Sequence, residues 1–273
     1  MGSARPYRLG YNTNGFAFHR LEDAAEIMHE LGYKAIALTL DVHHLNPFTA
    51  TEAELCDWRQ RFLELDLEVV IETVARFLLD PHRKHRPTLV SPTPAERARR
   101  AQFLRTAVEC AARLGARVVS TWSGALDDDP GRDPAWGRLA GTLVPILDAA
   151  RACGVMLAIE PEPAMVIETL QEFESFKDFL GRDDLWLTVD AGHLQVTESP
   201  PFEPLLRRAA RHLVNVHLDD AHTGVHEHLF FFGDGELPVG DVCGCWTSCR
   251  SAGSPRWSCP ATRTTPSSRR GGR

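Results

Sequence analysis

Seven short apolar runs recur along this chain, each separated from the next by a segment of helical periodicity. That alternation limits the fold more than any other feature. The runs occupy residues 8–12, 35–40, 67–73, 117–122, 155–160, 185–189 and 212–218. The second, Ala35-Ile36-Ala37-Leu38-Thr39-Leu40, is apolar at nearly every position, as a strand covered on both faces requires. Between the first two runs, Leu21, Ala24, Ala25, Met28 and Leu31 fall on one helical face, and Gly32 stops the helix. Thr51-x-x-Glu54 opens the next helix as a capping box. Thr93-Pro94-Ala95-Glu96 repeats that box with a proline at the first helical position. Further helices are expected over 136–153, 169–180 and 202–210. Strand and helix in strict alternation give a parallel sheet with right-handed crossovers. At about 30 residues per unit the fold class is α/β, and a (β/α)8 TIM barrel is expected. No glycine-rich loop follows the first run, which argues against a dinucleotide-binding sheet.

Past residue 238 the pattern stops. Residues 239–273 hold no aliphatic run, and Val239 and Val242 are their only branched aliphatics. The expected organisation is therefore a barrel over 8–238, with strand eight missing or replaced by an irregular, non-native tail over 239–273. A shifted reading frame would produce such a change. A disordered tail is the alternative, disfavoured by four Cys and two Trp in the segment. Cys243, Cys245, Cys249 and Cys259 lack the paired spacing of a zinc ribbon. Cys56, Cys110 and Cys153 read as small buried hydrophobes.

Charge divides the chain at the same place. Six Arg and one acid follow residue 238, so the net −7 of the whole chain leaves −12 on residues 1–238. An acidic body is a poor electrostatic match for nucleic acid. No apolar window suits a membrane span, and the first six residues lack an apolar signal core, so the cytoplasm is the expected compartment. Self-association into a homo-oligomer is compatible with the sequence.

Acids and imidazoles stand where the apolar runs end. Glu72 closes the third, Glu160 the fifth, Asp190 the sixth, and His217 stands near the end of the seventh. In a barrel these ends converge on one face. Carboxylates plus imidazole suit Mn²⁺, Co²⁺, Mg²⁺ or Zn²⁺. A lone acid at a strand end is more often a helix cap; the joint pattern on three successive strands favours a metal site. His193, three residues after Asp190, can reach substrate or metal. Trp122 ends the fourth run, where it can stack on a sugar face or pack in the core. The long loop 74–92 carries Arg76, Arg83, Lys84 and Arg86, either to hold a phosphate or carboxylate or simply as a solvated loop.

The stretches Ile159-Glu160-Pro161, Val189-Asp190-Ala191-Gly192-His193, Val216-His217-Leu218-Asp219-Asp220 and Gly233-Asp234-Gly235-Glu236 together resemble the xylose-isomerase-like barrels. That superfamily takes in sugar phosphate isomerases and epimerases and the apurinic endonuclease IV group. The resemblance implies a divalent metal held by Glu160, Asp190 and His217. It also implies a fourth ligand, a strand-eight Glu, for which this sequence has no counterpart. It implies Glu160 as catalytic base and His193 as a catalytic substrate contact. Glu162 and Glu168, in the loop after strand five, are candidate substrate contacts, as are Glu72 and Trp122. His226 and His228 fall where endonuclease-like members place a metal-binding pair. The implied activity is a metal-dependent isomerase or epimerase of a sugar, sugar phosphate or related polyol, working by proton transfer next to a carbonyl. The alternatives are a non-catalytic metabolite-binding barrel or inactive homologue and, behind these, an endonuclease IV-like phosphodiesterase.

Overall fold

A computed structural model of the chain describes residues 8–229, 234–240, 242 and 244, and the backbone of residues 7 and 257–261. Strands β1 (Tyr7–Asn12), β2 (Ala35–Thr39), β3 (Glu68–Glu72), β4 (Val118–Trp122), β5 (Met156–Glu160), β6 (Leu185–Asp190) and β7 (Leu213–His217) pair in parallel, each with the next. Helices α1 (Leu21–Glu30), α2 (Glu52–Glu64), α3 (Pro94–Leu114), α4 (Arg132–Ala152) and α5 (Leu170–Leu180) follow the first five strands. Two short helices, α6 (Ala191–Thr197) and α7 (Glu203–Ala209), lie between β6 and β7. This is the TIM-barrel architecture that the alternation predicts. No helix among the described residues is long and apolar enough to cross a membrane.

Of the two alternatives for the eighth position, the structure shows replacement. β8 (Trp257–Ala261) lies between β7 and β1 and closes the barrel. The expectation that 239–273 has no strand is thus corrected over these five residues. Ladder bonds come from the backbone, so two open sheet edges can take an extended segment that has no strand pattern. β8 matches β1 from Tyr7↔Trp257 to Tyr11↔Ala261, but meets β7 at a single pair, Asn215↔Ser258. Its sequence, WSCPA, contains no acid, so no strand-eight carboxylate takes part. Cys243, Cys245 and Cys249, and the side chain of Cys259, lie outside the described residues.

The barrel interior is layered. Val70, Val118, Ala158 and Val214 form a small apolar cluster, with Met156 and Trp186 against it. Above it Ser120 and Thr188 bond to each other at 2.9 Å, and above them the acids and imidazoles begin. A register shift in the β6–β7 pairing makes this stacking possible. Leu187 pairs with Leu213 but Thr188 pairs with Asn215, so Val214 is an extra residue on β7. One extra residue inverts the alternation of side chains. It lets Val214 join the interior apolar cluster while Asn215 and His217 also face inward. A larger core fills the space between strands and helices, with Phe62, Phe103, Phe173 and Phe176 at most 1% exposed.

The helix starts follow the capping signals. Thr93 accepts from Glu96 N at 3.3 Å, and Glu96 accepts from Thr93 N at 3.4 Å. Thr93→Ala is expected to cost about 1 kcal/mol of stability, read from the urea midpoint. α4 starts at Arg132, four residues earlier than its apolar spacing indicates, because Pro134 is tolerated in a first turn whose N–H groups need no helical acceptor. Cys110 is buried as expected, but Cys56 and Cys153 are exposed. On α2 the buried face runs through Leu55, Trp58 and Phe62, and Cys56 falls beside it.

Candidate metal centre

Glu72, Glu160, Asp190 and His217 end their strands, and each is at most 4% exposed. They meet. His217 Nε2 lies 2.9 Å from Glu72 Oε1, and its Nδ1 lies 3.0 Å from Glu160 Oε1 and 3.7 Å from Asp190 Oδ2. Burial alone would discourage a charged His217, but Glu160 and Glu72 outweigh it and hold the imidazolium well above its usual range. For Glu160, burial resists ionisation, yet His217 prevails and its carboxyl titrates below the ordinary value.

Asp190 serves two structures at once. It is the N-cap of α6, with Oδ1 accepting His193 N–H at 3.0 Å, and it faces the cluster. Burial, then the neighbouring Asp219, pushes its carboxyl up to about 7. Burial pushes Asp219 itself up to about 6. Asp219 accepts Gly192 N–H at 2.9 Å and bonds His228 Nδ1. A Cβ on Gly192 would stand 2.5 Å from Asp219 Oδ1, so any other residue in the Asp-Ala-Gly-His turn would displace the Asp219 carboxylate. His193 Nδ1 lies 3.2 Å from Pro161 O. A carbonyl only accepts, so Nδ1 carries a proton, and in the neutral ring Nε2 then presents the lone pair. That Nε2 is buried and has no hydrogen-bond partner among the described residues.

The remaining candidates divide. The rings of His193, His226 and His228 stand 5.2–5.5 Å apart, a second imidazole group beside the carboxylates. Burial lowers His226 to about 4. Glu162 Oε1 lies 4.0 Å from His226 Nε2, and burial followed by Glu160 and Asp190 holds its carboxyl well above the usual range. Trp122 flanks Glu160 in register and meets the ring of His85 edge-on at 5.0 Å. Glu168 lines a cavity of about 10 Å³ with Asp190 and His193, but its carboxylate accepts Ala164 N–H and so ties its own loop. Two contributors were not anticipated. Asn215 donates to Glu72 Oε1 at 3.2 Å and sits 3.1 Å from His217 Nε2. Its signal was a polar residue two positions before His217 in a buried strand. Asp219, within the quoted Val-His-Leu-Asp-Asp, is the other.

Donor atoms of Glu160, Asp190 and His193 lie within 4.8 Å of one another, as do those of Glu72, Glu160 and His217. Oxygen and imidazole donors at this spacing, with an orphaned buried nitrogen beside them, fit a divalent cation. His217 Nε2–H on Glu72 matches the outer carboxylate that orients a ligating imidazole, leaving Nδ1 toward Glu160 and Asp190.

These shifts set a pH dependence for the metal-free chain. Asp190 holds its proton to about 7 when folded, against 3.8 for a carboxyl of its kind in water. Over that range the unfolded chain has lost a proton that the fold keeps, so stability falls as pH rises. His217 acts in the same direction: its contribution is present below 6.5 and is lost as pH rises through its higher folded value. Chelator-treated protein is expected to unfold at lower urea at pH 8 than at pH 6.5. Equal or higher midpoints at pH 8 would contradict this.

A parallel (β/α)8 barrel with buried carboxylates and imidazoles at the C-terminal strand ends defines a class of proteins that work at the barrel mouth. Within that class the chain belongs to the xylose isomerase-like TIM barrel family, whose model matches residues 12–249. Among solved structures it resembles an L-ribulose 3-epimerase at 19% identity and TM-score 0.75, over 94% of this chain and 82% of that one. It resembles D-psicose 3-epimerase from Clostridium cellulolyticum H10, determined with D-tagatose, at 15% identity and TM-score 0.74, over 97% and 86%. It also resembles an IolI protein with a bound zinc atom at 15% identity and TM-score 0.73, over 93% and 88%. Identities this low establish the fold alone. Comparison with curated protein sequences gives no match.

Proposed function

We propose that the chain is a divalent-metal-dependent isomerase or epimerase of a sugar, sugar phosphate or related polyol. The observation that carries this reading is the convergence of Glu160, Asp190 and His217 at three successive strand ends, beside the unpartnered Nε2 of His193. Several structural neighbours are sugar epimerases, which supports the same class. Mn²⁺, Co²⁺, Mg²⁺ and Zn²⁺ all suit the donors. When bound, such a cation would polarise a substrate carbonyl and ease loss of the adjacent proton. The protein's own groups do the rest. Glu160 stays ionised and takes a proton from carbon. His193 Nε2 accepts from a substrate hydroxyl while its Nδ1–H stays on Pro161 O. Glu72 and Asn215 fix the ring of His217. Trp122, Glu162, His226 and His228 border the space that the substrate would fill.

The second reading is a binder without catalysis, and β8 favours it. Strand eight offers no carboxylate, so the second acid or base of a two-carboxylate shuttle is missing. Two measurements separate the readings. Calorimetric titration with Mn²⁺ and Co²⁺ is expected to show one bound cation per chain, and absence of binding would end the metalloenzyme reading. Deuterium uptake from D₂O into ketoses is expected of a catalyst, whereas metal binding with no uptake across a ketose panel would leave the binder.

A further inference from the structure

The loop from β3 to α3 carries four cations, and the fold uses only two. Arg83 is held by Asp80 at 2.8 Å and Glu96 at 3.0 Å, and Arg86 by Asp127 at 2.7 Å. These pairs shape the loop. The side chains of Arg76 and Lys84 have no ion pair or hydrogen bond among the described residues. The bond from His85 N to Arg76 O, 2.6 Å, sets the two sides of the loop next to each other. Ala75 and His85 take φ of +44° and +62° there, a left-handed backbone that costs energy at non-glycine residues. Strain of that kind persists where surrounding structure enforces it.

Behind the loop stands a third cation without a carboxylate partner among the described residues. Arg100 of α3 is 3% exposed. Its Nη2 donates to Thr73 O at 2.7 Å and its Cζ lies 5.2 Å from the centroid of the Phe103 ring, while Nη1 is buried with no hydrogen-bond partner among the described residues. No carboxylate among the described residues pairs with it. A buried guanidinium without a counter-ion is costly, and so is an unmade buried hydrogen bond. Asp41 reaches the turn, but its carboxylate accepts from the N–H groups of Val42 and Arg76. The imidazole of His85, whose Nδ1 bonds Val74 O, feels Lys84, Arg100 and Arg76 together. Thr73 follows Glu72 directly, and the ring of His85 meets Trp122, the last residue of β4, so this cationic corner stands at the same end of the strands as the carboxylates.

We propose that Arg76, Lys84 and the free Nη1 of Arg100 form a phosphate subsite, which receives a phosphate group carried by the substrate away from its reacting carbonyl. Three cations match a phosphate dianion better than a carboxylate, and guanidinium forks suit its oxygens. The identity of the carrier as a sugar rests on the isomerase reading; the anion site does not. Substrates are then sugar phosphates in preference to free sugars.

The test uses inorganic phosphate and the full chain. ³¹P NMR titration of chelator-treated protein is expected to show saturable binding. The double variant Arg76→Ala, Lys84→Ala is expected to weaken it by about tenfold or more, with unchanged circular dichroism and unchanged Co²⁺ affinity. Arg100→Met should weaken phosphate similarly; Arg100→Lys should restore part of the loss, which guards against a folding artefact. Acetate at equal ionic strength should compete poorly. If wild-type protein binds no phosphate, if the double variant binds it as well as wild type, or if acetate binds as tightly, the subsite is overturned. Phosphate binding without any Co²⁺ binding would sink the metalloenzyme reading and leave the subsite standing.

Discussion

Asp190→Ala is expected to remove measurable cation binding while leaving the barrel folded. The carboxylate offers a donor atom within 4.8 Å of those of Glu160 and His193, and its Oδ2 lies 3.7 Å from His217 Nδ1. Its share of the roughly 10–16 kcal/mol available to a full tetrahedral site corresponds to a hundred- to thousand-fold loss of affinity. The same change has two opposed effects on stability. It deletes the cap that accepts His193 N–H, which costs about 1 kcal/mol. It also relieves a carboxyl that burial and Asp219 push up to about 7, and that relief grows with pH. Asp190→Asn separates these effects, because the amide oxygen keeps the cap and only the charge is lost. Co²⁺ binding followed by its visible absorption, beside urea unfolding at pH 8, reads both. Retained Co²⁺ affinity in Asp190→Asn would remove this residue from the site.

The barrel was legible because its signals are local. Apolar runs, caps and glycine stops repeat at nearly constant spacing, and each needs only its neighbours to be read. Convergence of Glu160, Asp190 and His217 was legible too, since parallel strands must bring their ends together. What escaped is less local. α6 was hidden because Asp190 reads equally as the last residue of a strand and the first cap of a helix. Asn215 was hidden by the extra residue at Val214, which no alternation count on β7 reveals. Glu168 stands with Asp190 and His193 around one cavity, and its bond to the N–H of Ala164, within its own loop, is not legible from residue type. β8 escaped for the opposite reason. Its pairing needs backbone rather than pattern, so a segment without aliphatic character fills a position that the rest of the sheet leaves open. Filling the position does not supply its chemistry, because a ligand requires a particular side chain and a ladder does not.

Glu72 shows how far such a site depends on residues that need not touch the cation. Its Oε1 receives both His217 Nε2 and Asn215 Nδ2, across the barrel from β3 to β7. With the Nε2 proton held there, the ring cannot turn, and Nδ1 faces Glu160, to which it donates while the ring is charged; on losing that proton it would offer its lone pair to a cation. Glu72→Gln keeps size and an acceptor but loses the negative charge that strengthens the bond and the basicity of the ring. Cation affinity is expected to fall by about 10- to 100-fold, the range for outer carboxylates behind ligating histidines. Glu72→Ala should fall further, because it leaves Nε2–H and the Asn215 amide buried without an acceptor. A purely structural role would show instead as equal stability losses with intact affinity. The ¹⁵N chemical shifts of the His217 ring distinguish the cases: in wild type Nε2 is protonated with or without metal, and in Glu72→Ala the tautomer is expected to become mixed. If Glu72→Gln binds Co²⁺ as tightly as wild type, Glu72 does not orient His217, and its bond to the ring is only a feature of packing.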